Sequence, residues 1–244
     1  NPDISIAVLA VDPSSHISGG SILGDRTRMR LTENADRLYF RSQASNLELG
    51  GITQATYHAT RILRYFYDFI FIETVGIGQN EIDIQHMGHH TFLVMQPLAG
   101  DQIQFMKCGI MEIPDSFIIN KCDEEKLARN SYYMLRTALK QARLVEMNAS
   151  DNAAEAHKDH IFLVSALKQT GLVPLIEHLM TLRHQRPEKE DDRFYLEKLI
   201  AREYGEFGLR TLASIDAASF SALPSFEAKY ALAHSSIERH IIQN

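Results

Sequence analysis

The feature that most constrains this chain is a series of short, unbroken apolar runs separated by helix-length stretches. The runs fall at residues 6–11 (IAVLAV), 38–40, 68–73 (DFIFIE), 91–95, 116–119 and 160–164. A strand with one wet face alternates apolar and polar residues; these do not, which suits strands covered on both faces in a parallel sheet. Helix candidates lie between them at residues 51–65, 101–112, 124–146 and 172–182. Strands alternating with helices imply right-handed crossovers and a doubly wound, mostly parallel α/β sheet.

After residue 182 the pattern changes. Residues 183–193 (RHQRPEKEDDR) read as an exposed linker or helix lead-in, and the strand signal ends there. Leu196, Leu199, Ile200, Tyr204 and Phe207 share one helical face; Phe226, Tyr230, Ala233, Ile237 and Ile241 share another. Ser225, after Pro224, is an N-cap candidate for the second helix. The expected organisation is a sheet domain over residues 1–183 and a helical extension over 184–244. That extension either packs on its own sheet domain or forms a dimer arm.

Bulk properties narrow the function. The net charge is −6, so no basic face for nucleic acid is expected. No apolar run approaches the roughly 20 residues needed to span a bilayer, and no signal peptide is read at the start. Cys108 and Cys122 have no metal-like spacing and fit a reducing compartment. A cytoplasmic location is expected, or the mitochondrial matrix if a targeting segment is removed.

In an open parallel sheet, ligands sit beyond the carboxyl ends of the strands. Four such ends carry polar groups. Asn120-Lys121-Cys122-Asp123 follows the run at 116–119 and matches the N-K-x-D loop of GTPases. A carboxylate such as Asp123 can accept from the ring N–H and the exocyclic amine of guanine, an arrangement adenine does not present. The Lys121 stem can lie over the base, and Asn120 can tie neighbouring loops together. The competing reading is a polar turn capping the next helix. Ser165-Ala166 follows the run at 160–164, where backbone N–H groups can reach the base oxygen.

Glu73-Thr74-Val75-Gly76 follows the run at 68–73. An acid there can hold a magnesium-bound water, and Gly76 can offer its N–H to a γ-phosphate. Alternatively, its glycines serve only a turn. The loop from Asp12 through Gly24-Asp25-Arg26-Thr27-Arg28 is polar and glycine-rich. Asp12 and Asp25 can reach a magnesium shell, and Arg26 or Arg28 can pair with phosphate oxygens; or Asp25 caps a helix entered at Arg26. His86, His89 and His90 have no matching carboxylate or thiol spacing and read as structural or solvent-exposed.

Together these motifs resemble the ArgK/MeaB/MMAA family of P-loop GTPases over about residues 4–182. Residues 12–29 (DPSSHISGGSILGDRTRM), 41–45, 49–51, 73–81 (ETVGIGQNE), 96–109 (QPLAGDQIQFMKCG) and 120–123 carry the likeness. The resemblance implies a GTPase that assists an adenosylcobalamin-dependent acyl-CoA mutase, usually methylmalonyl-CoA mutase, in cofactor loading and protection. It implies Mg²⁺ and GTP or GDP as ligands, a homodimer, and no cobalamin held directly by this chain. It places Asp12, Asp25 and Glu73 in the magnesium environment, Arg28 near the phosphates, and Lys107 on a mobile segment able to approach the nucleotide. An older label for the family is a transport-system ATPase or kinase.

Two departures stand out. His89-His90 replaces the family's small-Asp pair, and residues 1–244 contain no G-x-x-x-x-G-K-[ST] phosphate loop. In the family that loop and its central strand precede the strand ending at Asp12. A sheet without that strand is expected to show two open edges. The phosphate loop is expected in a segment before residue 1. The alternative is a degenerate, non-hydrolysing interaction module.

Overall fold

A computed structural model describes residues 3–12, 35–44, 53–74, 81–97, 114–149, 160–183 and 192–243. The strands are β1 (Ile6–Asp12), β2 (Leu38–Ala44), β3 (Phe69–Thr74), β4 (Phe92–Met95), β5 (Ser116–Ile119) and β6 (His160–Leu163). The helices are α1 (Gln54–Leu63), α2 (Glu125–Ala149), α3 (Leu172–Leu182), α4 (Asp192–Ser214), α5 (Ala217–Ser221) and α6 (Phe226–Gln243). Among the described residues every strand pair is parallel. The protein is α/β, with helices flanking parallel sheet. The helix expected at 101–112 lies outside the described residues.

The strands form two three-stranded groups, ordered β2-β1-β3 and β4-β5-β6. Central strands β1 and β5 meet the expectation of burial on both faces: Ala7 and Leu9 are buried on one face of β1 and Ala10 on the other, and in β5 Phe117 and Ile119 are buried on one face and Ser116 on the other. Strands β3 and β4 do not. Phe71 and Val94 stand exposed. The reason is position, since among the described residues each of these strands is paired along one edge only.

Between β4-β5-β6 and α2, Phe117, Ile119, Leu135 and Leu139 form one core. Burying each contributes roughly 1.5–3 kcal/mol relative to exposure. An ion pair joins the second group to the first. At 2.5 Å, Arg183 after α3 donates to Asp68, which leads into β3. Asp68 also accepts from the Ser5 amide and hydroxyl, and these bonds to the charged form hold its carboxyl below the usual range.

The helical extension packs onto α1. Tyr57 stacks on Tyr195 with ring centroids 4.0 Å apart, beside Phe226. Leu196, Ile200, Ala233 and Ile237 continue this second core between α4 and α6. The Ser225 hydroxyl caps α6 by accepting from the Ala228 amide at 3.2 Å. Gly205 breaks α4 with φ 58° and ψ −151°, a conformation that essentially requires glycine.

Candidate functional site

The carboxyl ends of β5 and β6 bring the two sequence-predicted base loops together. The parallel register pairs Ile119 with Leu163, so the chains leaving these strands emerge side by side. The Cys122 amide donates to the Val164 carbonyl at 3.0 Å, and the Val164 amide to the Ile119 carbonyl at 2.9 Å. Lys121 takes a left-handed φ of 61°, which turns the chain sharply after Asn120.

Within this frame the polar side chains interlock. Asn120 Oδ1 accepts from the Lys121 amide at 2.8 Å and from the Ala166 amide at 3.2 Å. Asn120 therefore ties the loops together. Ala166 N–H is engaged with this side chain, a partner that the sequence reading did not foresee. The Ser165 hydroxyl donates to Asp123 Oδ1 at 2.5 Å and accepts from the Lys168 amide at 2.9 Å. Lys168 Nζ donates to the Asp123 carbonyl at 2.7 Å. Ser165 is fully buried, while Asp123 and Lys121 are exposed. A hydroxyl fixed on one carboxylate oxygen leaves the carboxylate edge oriented outward, able to accept from a ligand's paired N–H groups.

Cys122 faces inward. Its thiol donates to the Ile119 carbonyl at 3.1 Å, and burial pushes its pKa up. The side chain packs and stays a neutral thiol. Behind the loop, Ser165 and Thr170 form a short antiparallel bridge that feeds Gly171 at φ 71°. A Cβ there would lie 1.9 Å from the Leu163 carbonyl oxygen. The sequence stretch read as Ser165-Ala166-Leu167-Lys168 gave Lys168 no role, and Thr170 and Gly171 were missed as parts of this site. The available signal was the K-Q-T-G turn that starts one residue after the S-A dipeptide.

Strand β3 brings Glu73 to the same edge of the first group. Glu73 is exposed, and its register partner is Ala10, two residues before Asp12. Asp12 ends β1. Gly76, Asp25, Arg28 and Lys107 lie outside the described residues. Among the described residues, no group of three or more His, Cys, Asp or Glu is arranged to hold a metal ion.

The histidines separate. His86 stacks on Phe194 at 3.9 Å, and His90 Nε2 lies 2.8 Å from the Ser116 hydroxyl. Ser116 is also 3.4 Å from His178 Nε2, whose ring sits 4.3 Å from that of His160. This cluster lies at the amino ends of β5 and β6, opposite the base loops. Burial lowers the pKa of His90 and of His178.

Parallel strands with flanking helices, and interlocked polar loops at the carboxyl ends of β5 and β6, define an α/β protein with a candidate ligand site beyond those strand ends. The family model described as methylmalonyl-CoA mutase-associated GTPase MeaB matches residues 3–194, and the chain belongs to that family. A mouse protein named methylmalonic aciduria type A homolog, mitochondrial, is 34% identical over 183 residues, covering 74% of this chain and 42% of its own. A Pyrococcus abyssi protein named as a GTPase is 44% identical over 135 residues, 55% of this chain and 41% of its own. The chain thus spans about two fifths of the length of these curated relatives. Among solved structures, HypB from Helicobacter pylori in complex with nickel aligns at a TM-score of 0.43 and 12% identity, covering 76% of this chain and 78% of that one.

Proposed function

We propose that this chain is the base-reading and switch-bearing part of a GTPase that assists an adenosylcobalamin-dependent acyl-CoA mutase. The observation that supports it most is the Ser165–Asp123–Asn120 network at the ends of β5 and β6. It presents one exposed carboxylate edge, suited to the ring N–H and exocyclic amine of guanine. Lys121 stands beside it with its stem available to cover the base.

Hydrolysis needs more than these residues supply. The reaction is in-line attack of water on the γ-phosphate. Glu73, an exposed hard-oxygen donor at the strand edge, fits a water of a magnesium ion that arrives with the nucleotide. Bound there, the ion offsets phosphate charge. The phosphate-binding loop itself comes from sequence outside residues 1–244. Two features support this: among the described residues β3 and β4 are each paired along one edge only, with Phe71 and Val94 exposed, and the relatives are longer than this chain. Arg28 and Lys107 would meet the phosphates when the site closes. The mutase partnership and the homodimer are part of this proposal; the family description, which names association with methylmalonyl-CoA mutase, supports the first. The mouse relative is named as mitochondrial; for this chain we propose the cytoplasm or the mitochondrial matrix.

The test uses the full-length protein. Equilibrium titration with labelled GTP and ATP in Mg²⁺ should show a strong preference for GTP. Equal affinities would overturn the Asp123 assignment. Co-purification with a cobalamin mutase, with a change in GTP turnover on mixing, tests the partnership.

A further inference from the structure

The chain that leaves β3 just past Glu73 is anchored on the helical extension. Only residues 75–80 separate the end of β3 from a short 3-10 helix, Glu81–His86. His86 stacks on Phe194 of α4, with ring centroids 3.9 Å apart and ring planes 17° from parallel. Phe194 meets Tyr195 edge-on at 5.2 Å, and Lys198 Nζ lies 5.0 Å from the centre of the Phe194 ring. Tyr195 in turn stacks on Tyr57 of α1. Ile84 and Met87 pack against the same core of α4 and α6 residues. The core of the extension thus touches α1, which follows β2, and the 3-10 helix that follows β3.

A 3-10 helix has poor hydrogen-bond geometry and little stability of its own, so what it packs on sets its position. Strand pairing fixes one end of the connection after Glu73, with Thr74 in register with Val11. The extension fixes the other end through His86, Ile84 and Met87. Reaction rates are sensitive to such placement: a shift of about 1 Å at a reacting group can cost about a hundredfold. The described bonds of the base network, by contrast, stay within the loops after β5 and β6. We propose that Phe194 is a positioning residue for GTP turnover. By holding His86 it fixes the far end of the segment that follows Glu73, so the extension sets the rate of reaction without setting affinity for the base. This inference rests on the GTPase reading above.

The test measures steady-state GTP hydrolysis, GDP affinity and melting temperature on full-length protein. Phe194→Ala should lower kcat at least about tenfold, while KM for GTP and affinity for GDP stay within about twofold of wild type. Phe194→Tyr, which keeps the ring, should restore turnover. His86→Ala should match Phe194→Ala, and the double variant should fall no further than either, as for two residues acting through one contact. Ile237→Val weakens the same core without removing the His86 contact; it should melt lower and keep the wild-type kcat. Unchanged kcat in Phe194→Ala, an equal loss in Ile237→Val, or a rise in KM with kcat intact would overturn the proposal. If Phe194→Ala fails to fold, His86→Ala carries the same comparison. Wild-type protein that does not hydrolyse GTP at all would overturn the GTPase reading, and this proposal with it; the other adverse outcomes overturn this proposal alone.

Discussion

Ser165 donates its hydroxyl proton to Asp123 Oδ1 at 2.5 Å, joining two loops that lie 42 residues apart in the chain. Ser165 is fully buried and Asp123 exposed, so a rigid group on the sheet side sets the direction of a group on the ligand side.

Ser165→Ala removes that hydroxyl and the acceptor for the Lys168 amide. A buried hydrogen bond to a charged group contributes about 1.5–3 kcal/mol. The variant should lose stability in that range by denaturant melting. Its affinity for GDP should fall as well, because Asp123 is no longer held. Unchanged GDP affinity would separate the hydroxyl from base recognition.

Asp123→Asn keeps the shape but replaces an acceptor with a donor. Guanine affinity should drop about 100-fold, roughly 2.7 kcal/mol. Xanthine nucleotides, which present a carbonyl where guanine has its amine, should become the better ligands. Competition titrations of the full-length variant with both nucleotides measure the exchange. Continued guanine preference would contradict the assigned contact.

Gly171→Ala forces a Cβ to within 1.9 Å of the Leu163 carbonyl oxygen at a φ of 71°. Both the clash and the left-handed backbone oppose it. A loss of at least about 2 kcal/mol is expected from thermal or denaturant melts. A neutral result would mean that this turn relaxes freely.

The His90–Ser116–His178 cluster predicts acid sensitivity. Burial, the first cause, lowers both histidine pKa values below 6.5. His160 lowers them further, and Asp115 opposes the shift at His90. A depressed folded pKa gives stability that is present above the unfolded value and lost as pH falls through the folded one. The melting temperature should therefore hold from about pH 8 to about pH 7 and decline below pH 6.5. Ser116 has one proton and two imidazole neighbours, so at least one histidine must donate to it when neutral. His178→Gln should flatten the acid limb; an identical slope would remove the cluster as its source.

The strands were legible because each carries an unbroken apolar run in a few consecutive residues, at β3 and β4 as well as at the doubly buried β1. The six runs fall within one or two residues of the observed strands, except at β2. There, Arg41, Ser42 and Gln43 continue the strand with polar side chains. Gln43 is nonetheless buried and accepts from the Thr56 hydroxyl of α1. That partner, 13 residues away, is invisible to local pattern. The five-residue α5 was missed for a related reason: it is too short to show helical periodicity.

By itself, the sequence determined the positions of the six strands, the helices at 51–65, 124–146 and 172–182, the N-K-x-D loop at a strand end, and membership in a GTPase family. Each of these is written in neighbouring residues. Tertiary structure alone decided the rest. It split the strands into β2-β1-β3 and β4-β5-β6, leaving Phe71 and Val94 exposed. It gathered His90, His160 and His178 around Ser116, joined Arg183 to Asp68 across 115 residues, and set Ser165 against Asp123. These contacts depend on strand order and register, which bring distant residues within hydrogen-bonding distance and leave no local periodicity behind.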